Sequence, residues 1–119
     1  MVQIIPAILA TSEEQYQNDL SKLQSSASLQ SGWVHIDFAD NIFVQNRTIE
    51  PEIVKKFPIN FRKEAHLMVA HSKKWIDKLV DGGFERVIFH IEAEDDTSKC
   101  IEYIKSKGLE VGLAINSET

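Results

Sequence analysis

At 119 residues the chain has room for one domain and a modest single core, and an apolar share of 43% with 26% charged residues is that of a soluble globular protein, not a disordered one. A formal net charge of -5, with thirteen basic residues scattered along the chain, argues against a nucleic-acid surface, since binding phosphate backbones needs clustered Lys and Arg, so no nucleic-acid partner is expected. No apolar run approaches bilayer length and no secretory signal opens the chain, so no membrane partner is expected and the protein is placed in the cytoplasm.

Residues 2–9 form an apolar run broken only by Gln3 and Pro6, which reads as a buried strand; Pro6 weakens it, because proline cannot donate to a ladder. Ser12 reads as a helix cap followed by Glu13 and Glu14 in the first turn, and Tyr16, Leu20, Leu23 and Ala27 form a stripe at helical spacing. A second strand runs from Gly32 through Phe38 and gives way to a loop at Asp40 and Asn41. Pro51 then opens a short helix with Ile53, Val54 and Phe57 inward, closed by Pro58. The third strand is clearest over residues 65–69, and Ser72 caps a helix bearing Trp75, Ile76, Leu79 and Val80 that stops at Gly82-Gly83. Residues 86–92 give a fourth strand. Asp95, Asp96 and Thr97 start a helix with Cys100, Ile101 and Ile104 on its inner face, and residues 111–115 form a fifth strand.

The pattern is α/β, five strands alternating with four helices over a single domain, residues 1–119. Single helical crossovers force the strands to be parallel, which leaves either a doubly wound sheet or part of a (β/α) barrel. Within this scaffold the second strand stands apart. Strand alternation puts His35 and Asp37 on one face, two residues apart, where an imidazole and a carboxylate suit a divalent metal and the carboxylate can also move a proton. The lone Cys100 reads as a small apolar filler, His71 as a solvated junction residue, and His90 with Glu92 as lining of the sheet's mouth or a partner for nearby backbone.

Five short stretches in order carry a family resemblance: Ile5-Pro6-Ala7-Ile8-Leu9, His35-Ile36-Asp37 with Asp40, Phe43-Val44 and Asn46, His66-Leu67-Met68-Val69, Phe89-His90-Ile91-Glu92-Ala93, and Gly112-Leu113-Ala114-Ile115-Asn116. Together they resemble the ribulose-phosphate 3-epimerases, isomerases of the pentose phosphate pathway built on a (β/α)8 barrel. The resemblance implies a partial TIM barrel, a half-barrel here, in which His35, Asp37 and His66 bind a divalent metal such as zinc and Asp37 is also one of two acid/base carboxylates. It further implies a small sugar phosphate as substrate, with Met68, otherwise a core or interface side chain, as a substrate-binding residue.

The chain departs from the family pattern at Ala7 and Ala10, where serines are usual, and at Ala39 and Asn41, where methionine and glycine are usual. The family's second carboxylate comes from the seventh strand and its phosphate loops follow strands seven and eight, whereas this chain ends after the fifth, about half of a typical barrel of roughly 250 residues. Three readings follow: an epimerase-type isomerase active only on assembly, a metal- or ligand-binding half-barrel without turnover, or a structural fragment. Five strands cannot close a barrel of eight, so Ile8, Ile36, Val69 and Ile115 are expected to be left partly open and a homodimer is expected to cover them.

Overall fold

A computed structural model describes residues 4–25 and 32–117. It contains five strands, β1 (Ala7–Ile8), β2 (Trp33–Ala39), β3 (Arg62–Met68), β4 (Arg86–His90) and β5 (Glu110–Ala114). Between them lie α1 (Glu13–Ser25), α2 (Pro51–Lys55), α3 (Ile76–Asp81), which a 3-10 turn over Ser72–Trp75 leads into, and α4 (Thr97–Ser106).

The caps are where the local sequence puts them, with one exception. Ser12 Oγ accepts from the Gln15 amide at 3.1 Å, Pro51 sits in the first turn of α2, and Asp96 accepts from the Lys99 amide at 3.0 Å. Ser72 does not cap its helix: the amides of Ser72 and Lys73 donate instead to the carboxylate of Asp95, at 2.6 and 3.1 Å. That correction has a plain cause. A carboxylate 22 to 23 residues away in sequence takes both orphan amides at once, which a single hydroxyl cannot do.

All strand pairs are parallel and the sheet order is β1-β2-β3-β4-β5. Consecutive order decides between the two architectures left open by the sequence. A doubly wound sheet reverses direction at a switch point, whereas right-handed crossovers that always step the same way lay every helix on one face, as in the wall of a barrel. The core lies between that face and the helices. Val34, Ile36, Phe38, Ala65, Leu67, Val69, Val87 and Phe89 supply its sheet side; Tyr16, Leu20, Val54, Ile76, Leu79 and Ile104 supply its helix side.

Several expectations change at this level. β1 is only two residues long among the described residues; Val2, Gln3 and Ala27 lie outside them. Pro6 still serves the sheet as an acceptor, its carbonyl taking the His35 amide at 2.8 Å. Val80 faces outward, while Ile76 and Leu79 are buried. Ile8, Ile36 and Val69 are buried against the helices and are not left open, because they sit on the helix face of the sheet, opposite His35, Asp37 and His66. Ile115, just past β5, is open at 64% exposure, and so is Leu113 at 50%, on the helix side of that edge strand.

Candidate metal centre

The face of the sheet turned away from the helices is built from every second residue of each strand, and parallel register stacks those residues in rows. Asp37 pairs with His66 and His66 with Ile88; one row toward the strand starts, His35 pairs with Glu64 and Glu64 with Arg86. Here β2 and β3 deliver imidazoles and carboxylates where their other face delivers aliphatic groups. His35, Asp37 and His66 are thus neighbours, each with about a fifth of its side chain exposed, at 21%, 17% and 21%.

Their ligand atoms lie within 4.8 Å of one another. Asp37 Oδ1 sits 3.1 Å from His35 Nε2 and 2.8 Å from His66 Nδ1, so one oxygen faces one nitrogen of each ring. The opposite nitrogens are also engaged: His35 Nδ1 is 2.6 Å from Glu64 Oε2, and His66 Nε2 is 2.8 Å from His90 Nε2. Two imidazole nitrogens and a carboxylate oxygen facing one another, each ring anchored by its far nitrogen, fit a zinc-type cation with room for a further ligand.

Electrostatics follow from the same contacts. Hydrogen bonding to Asp37, and then to Glu64, raises the His35 pKa against the effect of burial. Burial would raise the Asp37 carboxyl, but the hydrogen bonds from His35 and His66 outweigh it and hold the group well below the usual carboxylate range. Glu64 is likewise lowered: burial opposes, while Arg86 and His35 prevail. His90 is lowered by burial and by the nearby His66.

The surroundings hold this cluster in place. Asp40 ends β2 as a hub, its Oδ1 accepting from the amides of Ile42 and Phe43 and its Oδ2 from the Ala70 amide, each at 2.9 Å, which ties the β2–α2 loop to the end of β3. Asn41 has φ 63°, the left-handed region that glycine fills without cost and asparagine tolerates, which accounts for asparagine at the position where the family uses glycine. Phe43 from this loop packs against His90, ring centroids 5.2 Å apart. Met68 shares the polar face one row above His66, beside Ala39. His71 stays outside the cluster, paired with Glu94 at 3.1 Å, and Cys100 is core, its thiol pushed up to about 11 by burial. Glu64 and the His66–His90 contact were not legible as site features. The available signal was the alternation of β3, which puts a glutamate two residues before His66 on the same face.

The profile of the Ribulose-phosphate 3 epimerase family matches residues 3–119. Ribulose-phosphate 3-epimerase of Schizosaccharomyces pombe is 33% identical over 126 aligned residues, covering 100% of this chain and 54% of the relative. That of Eremothecium gossypii is 36% identical over 100 residues, covering 73% and 42%. The cytoplasmic isoform from Oryza sativa subsp. japonica is 27% identical over 120 residues, covering 98% and 49%. The chain spans about half the length of the curated relatives it matches.

Proposed function

The chain belongs to the ribulose-phosphate 3-epimerase family, and from that premise we propose that it is the metal-holding wall of a barrel that epimerises a small sugar phosphate. In this reading His35, Asp37 and His66 hold a divalent cation of the zinc type. The observation that carries it is the convergence of these three side chains, with their ligand atoms inside 4.8 Å, on the polar face of the sheet. When bound, the cation supplies positive charge beside the oxygens on which negative charge develops as a proton leaves the carbon next to a carbonyl. Asp37 is the carboxylate that takes or returns that proton in this reading. Met68 lies one row further along the same face, within the substrate's side of the wall.

Epimerisation needs a second carboxylate on the far side of the reacting carbon. Glu64 is not that group, since it lies on the same wall as Asp37 and is committed to His35 and Arg86. The family resemblance puts the second carboxylate and the phosphate loops in the half that the match does not cover. Little or no turnover of ribulose 5-phosphate is therefore expected from these 119 residues alone. A metal-binding or purely structural role without catalysis is the second reading, favoured by Ala7, Ala10 and Ala39, which supply none of the hydroxyl or thioether contacts usual at those positions.

Calorimetric titration with zinc tests the centre: the wild-type chain should bind, and a His35→Ala, His66→Ala double variant should bind at least roughly a thousandfold more weakly, which is about 4 kcal/mol. Equal titration curves would sink the metal reading. Turnover assayed on the same samples separates the readings further, and robust activity abolished by Asp37→Asn would overturn the expectation of a silent half.

Assembly is part of the proposal. Leu113 on the helix side of β5 and Ile115 just past it present apolar surface, at 50% and 64% exposure, beside a strand that is last in the sheet among the described residues. A second copy covering that edge as a two-fold dimer is the arrangement proposed, in the cytoplasm as for the rice isoform. Light scattering should then report dimers, and Ile115→Asp should give monomers that unfold or precipitate; a well-folded monomer at every concentration would refute it.

A further inference from the structure

The ligand side chains of a metal centre are only as well defined as the groups behind them, and here the groups behind both histidines are buried. Glu64 is 6% exposed and His90 is 7% exposed, although strands seldom bury such side chains without a specific partner. Glu64 reaches His35 Nδ1 at 2.6 Å through Oε2, while its Oε1 accepts from Arg86 Nη1 at 2.8 Å. Arg86 is fixed in turn: its Nη2 lies 3.0 Å from Glu110 Oε2, and its guanidinium lies 4.0 Å from the centroid of the Trp33 ring. His90 meets His66 edge to edge, with ring centroids 5.0 Å apart, and packs against Phe43.

We propose that Glu64 and His90 are positioning residues that hold the far-side protons of His35 and His66, so that the two nitrogens facing Asp37 are the ones that give a lone pair when a cation is held. This rests on the metal-centre reading above and extends it to residues behind the ligands. Both ring nitrogens of His35 face carboxylates, which only accept, so the proton that a cation would displace is the one Nε2 shares with Asp37 Oδ1 at 3.1 Å, while Glu64, at 2.6 Å, keeps the other on Nδ1. For His66 the geometry is the mirror image. Nδ1 faces Asp37, so the ligand tautomer has its proton on Nε2 and donates to His90 Nε2 at 2.8 Å. His90 can accept there when its own proton sits on Nδ1, which lies 3.5 Å from Glu92 Oε1. A charged acceptor thus backs one ligand, and a neutral acceptor backs the other.

The test is cobalt(II) and zinc affinity of the full chain, measured by competition with a chelator, with the cobalt absorption spectrum and the ring-nitrogen NMR shifts of the zinc form as further readouts. Glu64→Gln keeps the shape and removes the charge, and should weaken metal binding on the order of tenfold to a hundredfold while moving the His35 Nδ1 signal. His90→Phe, with no acceptor, should weaken binding similarly, and His90→Gln, whose amide oxygen can stand near the lost Nε2, should restore most of it. Variants that lose thermal stability but keep wild-type affinity, spectrum and ring-nitrogen shifts would overturn the proposal and leave both residues structural. If the wild-type chain binds neither metal, the metal reading falls and this proposal with it. If it binds and only the His35→Ala, His66→Ala double variant loses binding, the metal reading stands and the positioning role alone is refuted.

Discussion

On β3, Leu67 and Ala65 are wholly buried against the helices, while His66 and Glu64, each one residue away, face the other side and touch other titratable side chains. The two faces of one sheet are therefore held by different physics. The helix face is stabilised by apolar area removed from water, is tolerant of orientation, and involves almost no hydrogen bonding between side chains. The polar face is a chain of directional contacts running from Arg86 through Glu64, His35, Asp37 and His66 to His90. Burying that many polar groups contributes little to stability unless each is satisfied, so its presence on a strand that could have been aliphatic points to function. Stability and chemistry are segregated by a single residue of strand alternation.

Neighbouring substitutions should separate the two faces most widely. Leu67→Ala is expected to cost about 3 kcal/mol in urea unfolding, by lost burial and a residual cavity, while leaving zinc affinity unchanged in the folded protein. His66→Ala should abolish tight zinc binding, with a smaller stability loss of about 1–2 kcal/mol from the contacts it removes from Asp37 and His90. If Leu67→Ala weakened zinc binding in protein shown to be folded, the faces would be coupled and the comparison would fail.

Acidity offers a finer instrument, because only one face titrates. Glu64 and Asp37 have folded pKa values below their ordinary 4.5 and 3.8, so their contribution is complete above those values and is lost as pH falls through the lowered ones. His35 is raised above 6.5, so its contribution is complete below that value and is lost as pH rises through the raised one. As far as Asp37, Glu64 and His35 are concerned, metal-free protein should thus be most stable between about pH 4.5 and 6.5, with His90, lowered below 6.5, opposing them as pH falls from that value. Denaturant midpoints in the presence of a chelator should trace that dome; Leu67→Ala should lower the curve without reshaping it, and Glu64→Gln should flatten its acid limb. A wild-type profile with no dependence on pH would contradict the network.

A smaller effect probes the loop that closes over the polar face. Asn41→Ala should cost about 1 kcal/mol, since alanine lacks the local hydrogen bonding that lets asparagine hold φ 63°. Asn41→Gly should be nearly neutral. Equal stability of the alanine variant, by thermal melting, would mean that the loop relaxes out of the left-handed conformation.

The amino-acid sequence by itself determined the α/β alternation, most of the caps, and the face shared by His35 and Asp37, because hydrophobic period, capping chemistry and strand alternation are all local. The five ordered motifs also located the chain in its family. Only the tertiary structure decided that the strands follow one another in order, since parallel pairing leaves the order of strands open. Asp95 taking over the cap expected of Ser72, Ile8 and Val69 turning toward the helices, and Glu64 and His90 standing behind the two histidines all depend on contacts between residues more than 20 apart or on which face the helices cover. Register couples such residues across the sheet, and register is a property of paired strands that no single stretch of sequence contains.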